Sequence, residues 1–185
     1  MDWPALTHDI AAAARQSFGD LLARHGDETF YAFALYTDED CITVAPAANS
    51  LEQYQATLAA LDEKPDRQER NYYRWASSEW AYEAWAWEPF DPLGDRLRAA
   101  CAAVSGDAAA FAAFKAQVHQ AMAGALRQLD GEGFFGRHRQ GANAAVLFIT
   151  APDADDTEAM EDRSARLLNP PEVCKAFLQQ HKDMG

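Results

Sequence analysis

The chain has 185 residues, 49% apolar and 11% aromatic, which is the size of one domain and too hydrophobic for a disordered polymer. Its 29 acidic against 16 basic residues give a net charge of −13, which disfavours direct nucleic-acid binding, because such binding needs cations facing phosphates. No run approaches the ~20 apolar residues of a membrane span.

The start Met1-Asp2-Trp3-Pro4 has neither the basic residues nor the apolar stretch of a signal peptide, so the expectation is a soluble, cytoplasmic protein. Cys41, Cys101 and Cys174 are odd in number and form no Cys-x-x-Cys pair. They read as core thiols, with a nucleophile or redox sensor as the alternative. Acid collects near both chain ends, and it serves either solubility or steering toward a basic partner.

Along the chain, Trp3, Leu6, Ile10, Ala14, Phe18, Leu21 and Leu22 recur at helical spacing and predict a first helix ending near His25-Gly26. Alternation over Thr29–Thr37 and then Cys41–Ala45, around the acidic tip Asp38-Glu39-Asp40, predicts a β-hairpin. Ser50 with Gln53 makes a capping-box pattern for a second helix that Lys64-Pro65-Asp66 ends. The following aromatic segment predicts a short strand around Tyr72–Trp75 and a helical turn capped by Ser77. Asp91-Pro92 opens the next helix, with Asp91 as its cap, and Phe111, Phe114, Val118, Met122, Ala125 and Leu129 mark a long one. The apolar run Ala144–Ile149 suits a central strand buried on both faces, and Asp155–Leu168 reads as a further helix. Asn169 is expected to cap a last helix carrying Val173, Phe177 and Leu178.

Few motifs carry chemistry. Gly131-Glu132-Gly133-Phe134-Phe135-Gly136 matches the letters of a dinucleotide fingerprint, but it follows a helix and precedes a strand, the reverse of what phosphate binding needs. It reads as a loop. Arg137, His138 and Arg139 form a compact cationic patch, either a solvated loop or an anion-binding one. His8, His25, His119, His138 and His181 lack metal-ligand spacing, no serine sits in a nucleophile elbow, and no cofactor is expected. Glu79, Glu83 and Glu88 lie among Trp75, Trp80, Tyr82, Trp85 and Trp87, which admits three readings: a packed core rim, a partner-binding surface, or a sugar cleft with paired carboxylates.

Four segments, Glu28 to Asp40 (ETFYAFALYTDED), Asn71 to Glu83 (NYYRWASSEWAYE), Val146 to Asp156 (VLFITAPDADD) and Ser164 to Val173 (SARLLNPPEV), resemble the bacterial domain-of-unknown-function family 4303 (DUF4303). The resemblance implies a bacterial, intracellular, single-domain protein and brings no catalytic residues with it. Small acidic α+β proteins of this kind also occur beside toxin genes as immunity proteins, an association that makes a basic, toxin-like protein the expected partner.

The expected fold is therefore α+β: one domain, 1–185, with a small, mostly antiparallel sheet packed by about six helices. The expected function is non-enzymatic binding of a protein partner, of the kind that neutralises a toxin. Its candidate residues are Asp38, Glu39, Asp40, Asp153, Asp155 and Asp156 in two acidic loops, with Trp80, Trp85 and Trp87. Turn formation and helix capping are the competing roles of those acids. The alternative functions are a small-molecule or carbohydrate-active enzyme using Glu79 and Glu83 in a Trp-rich cleft, and a structural or regulatory subunit.

Overall fold

The computed structural model describes residues 1–179, so His181 lies outside the described residues. Helix α1, Trp3–Arg24, begins where Asp2 accepts a hydrogen bond from the Ala5 amide (3.0 Å) and Pro4 occupies the first turn. Its apolar stripe of Leu6, Ile10, Ala14, Phe18 and Leu21 is fully buried, much of it against the long helix Ala108–Gly131. The two helices approach closely at Gly124, where a Cβ would meet the Thr7 methyl at 3.0 Å.

Strands β1 (Phe30–Tyr36) and β2 (Ala45–Ser50) pair antiparallel, so the predicted hairpin is present, but its second strand starts at Ala45 rather than Cys41. The reason is local. The Asp38 carboxylate accepts from the amides of Asp40 and Ile42, and Cys41 adopts φ +57°, a conformation no strand accommodates. Ser50 caps α2 (Leu51–Ala59) through the Gln53 amide as its pattern predicts, whereas the Gln53 side chain turns to Glu28. That helix stops well before Lys64.

Helix α3, Arg67–Trp75, replaces the strand expected at Tyr72–Trp75. Asp66 and Glu69 form a complete capping box, each side chain accepting from the other's amide at 2.9 Å, and this start signal overrides the β preference of the aromatic residues. A 3₁₀ turn follows at Ser77–Glu79 with Ala76, not Ser77, as its cap residue. The two-residue strand β3 (Tyr82–Glu83) then pairs antiparallel with β2. Helix α4 (Asp91–Ala102) has Asp91 as its first residue rather than its cap, and α5 is the long helix Ala108–Gly131, capped by Asp107.

Strand β4, Val146–Thr150, lies parallel to β1, which gives the order β3-β2-β1-β4. The sheet is thus mixed rather than mostly antiparallel, and the strand read as central stands at one end of it. Its five residues are nonetheless all buried. One face of the sheet, with Phe33, Leu35, Leu147 and Ile149, packs on α1, α4 and α5; the other, with Tyr31, Ala32, Ala34 and Phe148, packs on Tyr54 of α2, Trp75 of α3 and Phe177. Helix α6, Thr157–Leu168, runs along the open edge of β4 and contributes Met160 to one core and Ala165 to the other.

Side chains take over the backbone pairing at that edge. Asn169 accepts from the Leu147 amide (2.8 Å) and donates to the Leu147 carbonyl (2.7 Å), while Ser164 accepts from the Ile149 amide (3.0 Å). Asn169 therefore does not cap the last helix, which is the single turn α7, Pro171–Cys174. Its carboxamide oxygen also accepts from Arg139, which grips Asp130 through two hydrogen bonds (2.9 and 3.1 Å). Replacing Asn169 by Leu strands two buried backbone groups of β4, so it should cost about 2–4 kcal/mol. Leu167→Ala, at a residue 55% exposed, should leave the urea midpoint nearly unchanged. Equal midpoints for the two variants would remove this account of the edge.

Candidate partner-binding site

The parallel pairing of β1 and β4 brings both acidic loops to one end of the sheet. Tyr36 lies opposite Thr150, and the Thr37 amide donates to the Thr150 carbonyl at 3.0 Å just beyond the last paired residues. In the first loop Asp38 is consumed by structure, since it also accepts the Thr43 hydroxyl. Glu39 and Asp40 project into solvent. In the second loop Thr157, not an acid, closes the turn, with its hydroxyl donating to the carbonyls of Ala151 and Ala154. Asp153, Asp155 and Asp156 are exposed, and Asp156 precedes α6 without capping it through its side chain.

Cys41 belongs to the first loop. Burial, then the charge of Asp38 and, more weakly, that of Asp156, push its thiol up to about 12, so acids of both loops act on one sulfur. The Cys41 Sγ sits 3.3 Å from His119 Nε2 of α5. Burial likewise holds the His119 ring below its ordinary value; Asp156 opposes that shift, and Lys115 and Arg163 reinforce it. Burial thus disfavours both the thiolate and the imidazolium, the charged pair that a cysteine nucleophile uses, and the cysteine is 1% exposed. The pairing spans 78 positions of sequence, and no local pattern marks it.

The aromatic segment divides. Trp75, Trp80 and Tyr82 are buried, and the Trp80 indole N–H donates to the Arg74 carbonyl (3.1 Å). The Arg74 guanidinium lies over the rings of Tyr31, Trp75 and Tyr54 at 5.2, 5.2 and 5.8 Å. Trp80 thus offers no face to a partner. Trp85 is half-buried against His25 and Tyr82 and donates to Asp20, whereas Trp87 is 47% exposed. The carboxylates proposed for a cleft are held separately: Glu79 accepts from Tyr72 (2.8 Å) and Glu83 from Tyr36.

Two further groups have structural roles. Arg139 is bound into the β4 edge, which leaves Arg137 as the exposed arginine of the cationic patch. Glu28 accepts from Tyr82 (2.6 Å), Gln53 (3.2 Å) and Ser50, with His25 Nδ1 at 3.3 Å. Burial raises the Glu28 carboxyl, but the hydrogen bonds from Ser50, Tyr82 and Gln53 outweigh it and leave its value below the ordinary 4.5. Among the described residues no cluster of three or more His, Cys, Asp or Glu has metal-ligand placement, and no helix is long and apolar enough to cross a membrane.

The comparisons agree with the phrases read from the sequence. Residues 10–170 match the family described as Domain of unknown function (DUF4303), and the chain belongs to it. No curated protein matches the chain, and no solved structure does.

Thiol chemistry and acid titration test this site. Cys41 and Cys174 are buried and Cys101 only partly so, so the native protein should react with Ellman's reagent at Cys101 alone. A Cys101→Ser variant that still reacts rapidly before unfolding would show Cys41 to be accessible. Because the folded value of Glu28 is depressed, its contribution to stability is present above the unfolded pKa and lost as pH falls through the folded one. Glu28→Gln should therefore lower stability at neutral pH and flatten its decline below about pH 4.5 in acid denaturation. Parallel curves for variant and wild type would exclude that role.

Proposed function

We propose that this chain binds a basic protein partner without catalysing a reaction on it, through the acidic loops at the carboxyl ends of β1 and β4. The observation that carries this reading is the state of Glu39, Asp40, Asp153 and Asp155. All four are exposed, and among the described residues none pairs with a cation or caps a helix through its side chain. Like charges gathered at one end of a fold repel one another, and among the described residues no ion pair offsets the cost. A cationic protein surface does offset it, and the field of such a patch accelerates encounter. A nuclease toxin neutralised by its antidote is one class of partner with the required charge. Trp87 supplies the exposed aromatic ring, in a hollow of about 330 Å³ with Tyr36, Phe90 and Arg98.

The structure also decides which acids to change. Asp38 must be spared, because its carboxylate builds the loop. With Glu39, Asp40, Asp153 and Asp155 all reversed to Lys, the urea midpoint should stay within the range of surface substitutions. A basic protein retained from host lysate by the wild-type chain should associate at least about tenfold more slowly with the variant at low salt, and the difference should shrink at high salt. Identical association rates, or retention of no basic protein that depends on these acids, would overturn the proposal.

A further inference from the structure

Between α5 and α6 lies an open groove of about 310 Å³, which the second acidic loop only borders. Ile149 of β4 and Met160 of α6 give it an apolar lining, and Lys115, His119, Asp156 and Arg163 supply charged and polar groups. Two observations bear on what this groove can hold.

The first is its cations. Arg15, Arg24, Arg96, Arg98 and Arg166 each hold a carboxylate. Lys115 and Arg163, like the exposed Arg127 and Arg137, hold none among the described residues, but they alone of these line a common groove; the Lys115 ammonium lies 5.3 Å from the centre of the Phe111 ring. With Asp156 counted and His119 neutral, the four groups sum to a single positive charge.

The second is the fixing of His119. A non-glycine residue at φ +57° is strained and persists only where the surroundings enforce it. The Asp38 carboxylate holds the turn around it, and the buried thiol meets Nε2 of His119, a residue that lines the groove. Nδ1 is the nitrogen that this contact leaves to other partners. A protonated thiol donating to Nε2 places the imidazole proton on Nδ1, which makes a donor of fixed orientation beside two cations.

We propose that this groove binds a small monoanionic carboxylate with a short apolar body, the carboxylate held by Lys115, Arg163 and the Nδ1–H of His119 and the chain lying on Ile149 and Met160. The volume lies at the small end of ligand pockets, which suits a compact ligand. Asp156 leaves the groove a net charge of one, which favours a monoanion over a dianion such as hydrogen phosphate. Cys41 is a positioning residue: it sets the tautomer of His119 and does not touch the ligand. The inference is independent of partner binding at the acidic loops.

The test is a titration of the full ¹⁵N-labelled chain with hexanoate, hexanol and inorganic phosphate at constant ionic strength. Hexanoate should give saturable shifts at the amides of Lys115, His119 and Arg163, and neither hexanol nor phosphate should match its affinity. Lys115→Met and Arg163→Met should each weaken hexanoate about tenfold, the scale of a lost hydrogen bond to a charged group. Cys41→Ser, whose hydroxyl also donates, should keep the His119 ring in the Nδ1–H tautomer by its ¹⁵N shifts. Cys41→Ala should lose that tautomer and weaken hexanoate, with circular dichroism confirming the fold of both variants. The proposal fails if no saturable shift appears, if hexanol or phosphate binds as well as hexanoate, or if the methionine variants bind unchanged. It fails equally for Cys41 if the alanine variant keeps tautomer and affinity.

Discussion

Unpaired N–H and C=O groups along β4 are the constraint on which the rest of the structure depends. A strand of five buried residues at the end of a sheet has one row of backbone groups facing no strand, and an unsatisfied buried group costs about 1–3 kcal/mol. Asn169 and Ser164 answer it with side chains that stand where a fifth strand's backbone would be. An amide is suited to this, because it offers a donor and an acceptor at peptide-like spacing. Since both residues belong to α6 or its C-cap, the helix is fixed along the edge instead of across a face. That placement opens the groove toward α5 and sets the loop 151–156 at the carboxyl end of β4. A hydrophobic residue at 169 would fill the space and leave the pairing undone, which is also how a sheet edge becomes prone to pairing with other chains.

Polar residues here often do structural work that their charge alone would not suggest. Asp38 builds a loop, Glu28 gathers three hydrogen bonds near the start of β1, and Arg139 ties Asp130 at the end of α5 to Asn169. Each is satisfied by several partners, as burial requires. Against that background the other acids of the two loops, which bond to no side chain among the described residues, stand out. A charge with no internal partner is the remainder left when structural roles are subtracted, and on a rigid scaffold that remainder is where binding is to be sought.

Much of the fold was legible in periodicity. The stripe of α1, the stripe of α5 and the apolar run of β4 are long, regular patterns, and each marks an element that exists. The segment 66–75 misled because aromatic residues favour strands only where a sheet receives them, and a capping box with a strongly amphipathic stretch behind it forms a helix first. The run Val146–Ile149 correctly signalled burial on both faces and incorrectly signalled a central position, because burial by a helix and burial by a neighbouring strand select the same apolar residues. The candidate site was legible in part: the two acidic loops were visible as loops, and their convergence depends on a parallel pairing that no local pattern encodes. Cys41 beside His119 was invisible for the same reason.

The two surfaces proposed for this chain act over different ranges, and their chemistry differs accordingly. Exposed acids at the sheet end work through a field that reaches about 8 Å at physiological salt, so they govern encounter with a large cationic partner and tolerate exchange of one acid for another. The α5–α6 groove cannot rely on such a field, because a chain of net charge −13 repels a free anion at long range. An anion must be held there by contact, in a geometry set before it arrives. The strained backbone at Cys41 is consistent with that demand. A thiol that donates to Nε2 of His119 leaves the imidazole proton on Nδ1, and this is the tautomer on which the proposed carboxylate site depends. On that proposal the left-handed backbone at Cys41 serves orientation, since it sets the thiol against a ring that lines the groove.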